Sequence, residues 1–208
     1  MIIFATNHDE STAESLKLAQ SIIEKTDTLL LENDAIRSHL LAVLETQPHA
    51  PLMVFSHGKA SYWLGNDDIP AFIMGDISLL ANRKAFVYAC WTAAELGKSA
   101  AAQPNCFYGG YNNAVITGGS AIPNEMRTVF QFIKTRFYTL QDEADVMLFL
   151  EQLCKLCDET EQMYLKSYPE SLDYIGISTT LRNIWAKLNI CFADQKQAHP
   201  DAVEPLLW

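Results

Sequence analysis

The chain has 208 residues, 49% of them apolar, and 25 acidic against 15 basic side chains give a net charge of −10. This size and composition predict one globular unit with a sizeable core, and no low-complexity linker or internal repeat divides it. The charge argues against nucleic acid, whose phosphates need basic patches, and against an anionic membrane surface; it favours a basic partner or substrate.

Residues 2–6 read as a buried first strand rather than a secretory leader. Ser11 and Glu14 have capping-box spacing, so a helix is predicted from about Thr12. Its apolar face is Leu16, Ala19, Ile22 and Ile23. Residues 28–31 form a second apolar strand. Ile36, Leu40, Val43 and Leu44 mark a second helix, capped by Asn33 or Asp34. After the breaker at 47–51 comes the run Leu52-Met53-Val54-Phe55-Ser56-His57-Gly58. The order β-α-β-α-β predicts a parallel sheet with right-handed crossovers.

Residues 61–73 read as a hairpin, with Gly65, Asn66, Asp67 and Asp68 as a solvated turn. A short helix is expected around 77–81. The next apolar run is Ala85-Phe86-Val87-Tyr88-Ala89-Cys90. Residues 93–102 are helical by propensity. One more strand lies between Cys106 and Ile116, with its register open between 106–108 and 114–116.

Residues 118–120 read as a hinge, and the pattern beyond is helical. Met126, Val129, Phe130, Ile133 and Phe137 form one stripe, and residues 146–163 a long second helix. Residues 172–191 form a third, with Leu181, Ile184, Trp185 and Leu188 on one face. The domain reading is an α/β core over 1–117, a helical region over 118–193 packed on the same sheet, and an irregular tail over 194–208.

Two parallel strands ending in His57-Gly58 and Cys90 bring an imidazole and a thiol to one sheet edge, where open α/β sheets place their ligands. Histidine beside cysteine can generate the reactive thiolate. Gly58 permits a sharp turn, and its N–H together with that of Cys90 can face an oxyanion.

The motif Met53-Val54-Phe55-Ser56-His57-Gly58, followed by Val87-Tyr88-Ala89-Cys90 and then by Asn112-Asn113-Ala114-Val115-Ile116, resembles the caspase-like cysteine peptidases. The nearer likeness is to bacterial caspase-like and caspase–separase-type (CHAT) domains, over residues 1–118. The resemblance implies a doubly wound, mostly parallel sheet and peptide-bond hydrolysis. Cys90 is then the nucleophile, His57 the general base and acid, and the amides of Gly58 and Cys90 the oxyanion hole. It also implies a bacterial signalling or defence protease acting on a specific protein or peptide, with room for an activating partner protein. Bulky Trp91 departs from the small or acidic residue that many relatives carry there, and either lines a pocket or narrows it. By position the resemblance implies that Asp9 and Glu10 belong to a substrate pocket, where acidic groups suit Lys or Arg; the residues by themselves read rather as the acidic start of the first helix.

Other chemistry finds less support. Cys154 and Cys157 share an apolar helix face, which reads as core. Gly109-Gly110 and Gly118-Gly119 are not followed by Lys-Ser/Thr, so no phosphate loop is present. His8, His39, His49 and His199 are too dispersed to argue a metal site, and no cofactor is expected. Five scattered cysteines fit a reducing cytoplasm, and no apolar run approaches the roughly 18–20 residues of a membrane span. The competing readings are an inactive caspase-like binding or scaffold module and a flavodoxin-like or nucleotide-binding domain, although Asn7-His8-Asp9-Glu10 repels phosphate.

Overall fold

The apolar runs become the centre of a seven-stranded sheet. In the computed structural model, which describes residues 1–115, 124–170, 174–193 and 196–200, strands β1 (Ile2–Ala5), β2 (Thr28–Leu31) and β3 (Leu52–Phe55) come first. A small antiparallel sheet follows, made of β4 (Gly58–Lys59), β5 (Tyr62–Leu64) and β6 (Pro70–Ile73). The main sheet then takes β7 (Lys84–Tyr88), β8 (Phe107–Tyr111), β9 (Leu188–Phe192) and β10 (Lys196–Ala198). Its order is β10-β9-β8-β7-β3-β1-β2, parallel from β2 through β8 and antiparallel at β9 and β10.

The central strands are buried on both faces, which is why they read as unbroken apolar runs. Their period of two sorts them into two cores. Ile3, Ala5, Met53, Phe55, Phe86 and Tyr88 enter one. Ile2, Phe4, Leu52, Val54, Ala85 and Val87 enter the other.

Helices cover both faces. The first core receives α1 (Glu10–Ser21), α4 (Asn124–Arg136), α5 (Glu143–Ser167) and α6 (Tyr174–Ala186). The second receives α2 (Arg37–Thr46), the small sheet through Trp63 and Phe72, and the short α3 (Lys98–Ala101). Trp63 and Phe72 stack with ring centroids 4.3 Å apart. The fold is therefore α/β, a mostly parallel sheet with the carboxyl-terminal helices packed on it.

Buried polar groups tie the layers together. Arg83 is buried and donates to the carbonyls of Ala50, Leu44 (3.0 Å), Gln47 (2.9 Å) and Leu79 (3.1 Å). Lys134 of α4 reaches Asp27 at 2.6 Å and the Ile22 carbonyl at 2.7 Å. The helical region and the α/β region thus share one core.

Several sequence expectations shift. Helix α1 begins at Glu10 rather than Thr12, because Asp9 is the residue whose side chain caps it. Residues 74–80 and 93–97 form a 3₁₀ and a π turn. The strand left open between 106 and 116 is residues 107–111; residues 112–115 lie outside any strand. The third carboxyl-terminal helix stops at Ala186, and residues 188–192 pair with β8 as a strand. Part of the predicted tail is β10. The hinge read at 118–120 and residues 201–208 lie outside the described residues. Among the described residues no helix is long and apolar enough to cross a membrane.

Candidate active site

Register brings the candidate residues together. Ala5 pairs with Phe55, and Phe55 with Tyr88, so the segments after β1, β3 and β7 leave the sheet at one level. The Thr6 amide donates to Phe55 O at 3.1 Å, and the Ser56 amide to Tyr88 O at 3.3 Å, which extends the alignment by one residue. The strand order also reverses here. From β1 the chain steps outward to β2, then returns past β1 to β3. Such a switch point leaves a crevice beyond the strand ends.

Asp9 follows β1 at this sheet edge. Its Oδ1 accepts the Thr12 N–H at 2.8 Å, and Thr12 Oγ1 accepts the amides of Asp9 and His8, both at 3.0 Å. This reciprocal cap fixes the carboxylate. Its other oxygen, Oδ2, lies 2.6 Å from His57 Nε2. Burial opposes the charged carboxylate, but the His57 and Thr12 hydrogen bonds outweigh it and hold Asp9 well below the usual carboxylate range.

His57 is anchored through its backbone, whose carbonyl accepts the Leu64 N–H at 2.9 Å. Gly58 lies opposite Trp63 in the next rung. Rungs of an antiparallel ladder alternate, so the Gly58 N–H faces away from β5. A Cβ on Gly58 would sit 2.5 Å from Cys90 O, 2.6 Å from Thr92 Cγ2 and 3.0 Å from Ala89 Cβ. Only glycine lets β4 pass this closely over the turn that carries the cysteine.

Cys90 and His57 line the same small cleft, with Ser56, Tyr88 and Thr12 in its walls. The Val115 N–H donates to Cys90 Sγ at 3.2 Å, and the thiol points back at Val115 O, 3.6 Å away. Each partner is thus held by another group, His57 by Asp9 and Cys90 by Val115. The other four thiols differ in setting. Burial pushes Cys106 and Cys191 up to about 12, Cys154 to about 11, and Cys157 well above its ordinary value.

Trp91 takes a left-handed backbone (φ 65°), donates its N–H to Asn113 O at 3.2 Å, and is 44% exposed, outside the cleft wall. Asp67 and Asp68 belong to the turn: Asp67 Oδ1 accepts the Ile69 N–H at 3.3 Å, and Asp68 has φ 60°. Cys154 and Cys157 lie along α5, Cys157 in the core.

Sequence reasoning missed three participants. Thr12 is the partner that orients Asp9, and the spacing Asp9-x-x-Thr12 is itself a capping signal. Val115 holds the sulfur. His8, set aside as dispersed, lies beside His57 with ring centroids 5.1 Å apart. Comparison with protein-family models, with curated proteins and with solved structures returns no match.

Proposed function

We propose that this chain is a caspase-like cysteine peptidase working through Cys90, His57 and Asp9. The contact between Gly58 and the Cys90 carbonyl carries the reading, because it presses the His57 and Cys90 segments against each other at one cleft. Asp9 on Nε2 leaves Nδ1 as the nitrogen that takes the thiol proton. In this reading Asp9 serves the imidazole rather than a basic substrate residue.

The steps follow from acyl-transfer chemistry. Cys90 gives up Val115 and passes its proton to His57. The thiolate attacks the peptide carbonyl carbon, and the resulting oxyanion is held by the Gly58 and Cys90 amides. The Trp91 amide is committed to Asn113 and takes no part. Collapse expels the amine, which takes the proton from His57. Water then attacks the thioester as His57 removes its proton, releasing the acid and restoring Cys90.

The competing reading, an inactive binding module of the same type, is favoured by the Val115 N–H that now holds Cys90 Sγ. Turnover of a peptide library, with Cys90→Ala as the control, separates the two. Cleavage that disappears in Cys90→Ala supports the peptidase. Cleavage that persists in that variant, or no cleavage by the wild type, overturns it.

A further inference from the structure

The same sheet edge holds a cluster of ligating groups that shares Asp9 and His57 with the proposed catalytic residues and adds His8. His8, Asp9 and His57 each bring one ligand atom to within 4.8 Å of the others. They come from the segments after β1 and β3, the strands that flank the reversal of sheet order. His57 Nε2 and Asp9 Oδ2 are already 2.6 Å apart. His8 Nδ1 is shielded from solvent and has no hydrogen-bond partner among the described residues. A buried ring nitrogen left this way is costly and asks for an explanation.

We propose that His8, Asp9 and His57 bind a divalent first-row transition cation of the Zn²⁺ class. Two imidazoles and one carboxylate are the three protein ligands of open zinc sites, with a fourth position left for water. Imidazole disfavours Mg²⁺ and Ca²⁺, which take oxygen ligands. Metal–ligand bonds of about 2.0–2.1 Å put tetrahedral ligand atoms about 3.3 Å apart. The His57 and Asp9 side chains, 35% and 45% exposed, have the freedom to adjust to that spacing. Thr12 holds the second Asp9 oxygen and so aims the first. The chain's net charge of −10 favours a cation.

The site stands whether or not the chain is a peptidase. If it is, the two roles exclude each other. With Nε2 on a metal, the neutral ring carries its proton on Nδ1 and takes none from Cys90.

The test is calorimetric titration of the full, metal-stripped chain with Zn²⁺, joined to Co²⁺ absorption spectra of the wild type. One equivalent should bind. His8→Gln and His57→Ala should each weaken binding at least ~10-fold, and Cys90→Ala should bind as the wild type does. The Co²⁺ spectrum should show nitrogen and oxygen ligands with no thiolate charge-transfer band. The spectrum needs no variant, so it decides even where a substitution unfolds the chain. Absence of binding, a thiolate band, or binding lost in Cys90→Ala but retained in His8→Gln overturns the site. None of these outcomes depends on peptide cleavage.

Discussion

Asp9 joins helix α1 to His57: one carboxylate oxygen caps the helix through the Thr12 amide, and the other lies 2.6 Å from His57 Nε2. The two jobs separate by substitution. Asparagine is as good an N-cap as aspartate, whereas alanine costs about 1 kcal/mol. Asp9→Asn should therefore keep the helix cap, and with it more stability than Asp9→Ala, but slow the reaction of Cys90 with an uncharged iodoacetamide probe at least ~10-fold, because His57 loses its anionic partner. Asp9→Ala should lose both. Urea melts read the first effect and mass-spectrometric labelling rates the second. An unchanged labelling rate in Asp9→Asn would remove Asp9 from the thiol chemistry.

The same carboxylate makes stability depend on pH. Its folded pKa is depressed by the His57 and Thr12 hydrogen bonds, while in the unfolded chain it titrates near ~3.9. A depressed acid contributes stability above its unfolded pKa and loses it as pH falls toward the folded one. The urea midpoint of the wild type should thus exceed that of Asp9→Asn most at pH values above about 4, with the gap closing below that. A gap that stays constant down to strongly acidic pH would contradict the assignment.

Gly58 is a matter of space. Its Cβ position is 2.5 Å from Cys90 O, so Gly58→Ala forces β4 and the 89–92 turn apart. Such overpacking costs about 1–3 kcal/mol and should abolish peptide cleavage. Gly75 is the control, since its nearest neighbour to a Cβ is Ile73 at 3.8 Å. Gly75→Ala should melt with the wild type and retain cleavage. Equal losses in both variants would show that the Gly58 contact is not the cause.

What was legible in the sequence follows from the range of each interaction. The runs at 52–55 and 84–88 are buried on both faces, and that alone marks them as central parallel strands. Leu188 misled because it suits two periods: it continues the helical face of Leu181 and Ile184, and it also begins the alternation of Leu188, Ile190 and Phe192 into one core. Only pairing with β8 decides for the strand. Two overlapping capping patterns, Ser11 with Glu14 and Asp9 with Thr12, compete within one turn; the second prevails, with its hydrogen bonds in both directions. The meeting of His8 with His57 has no local signal. It exists because Ala5 and Phe55 share a register.

Thiol reactivity should rank by setting. Thiolate is the reactive form, and burial keeps Cys106, Cys154, Cys157 and Cys191 protonated at neutral pH. Cys90 is half-buried at the cleft. Limited iodoacetamide treatment of the native chain should modify Cys90 first, with Cys106, Cys157 and Cys191 reacting only after denaturation. Peptide mapping gives the order. Labelling of a core cysteine before Cys90 would contradict the described packing.

Lys134 tests whether the carboxyl-terminal helices and the sheet unfold as one. Its side chain is 4% exposed and pairs with the Asp27 side chain, 2% exposed, at 2.6 Å, while also donating to Ile22 O. Lys134→Met removes the closest charge partner of Asp27 and leaves that buried carboxylate only the Met1 amino terminus, 3.6 Å away, and the Glu24 amide. Breaking a buried pair from one side costs about 3–5 kcal/mol. Because Asp27 adjoins β2 and Lys134 belongs to α4, the loss should appear equally in both regions. Tryptophan fluorescence and far-ultraviolet dichroism should report one coincident transition shifted to lower urea. Two separated transitions, with only the helical one shifted, would mean that α4–α6 form a unit of their own beside the sheet.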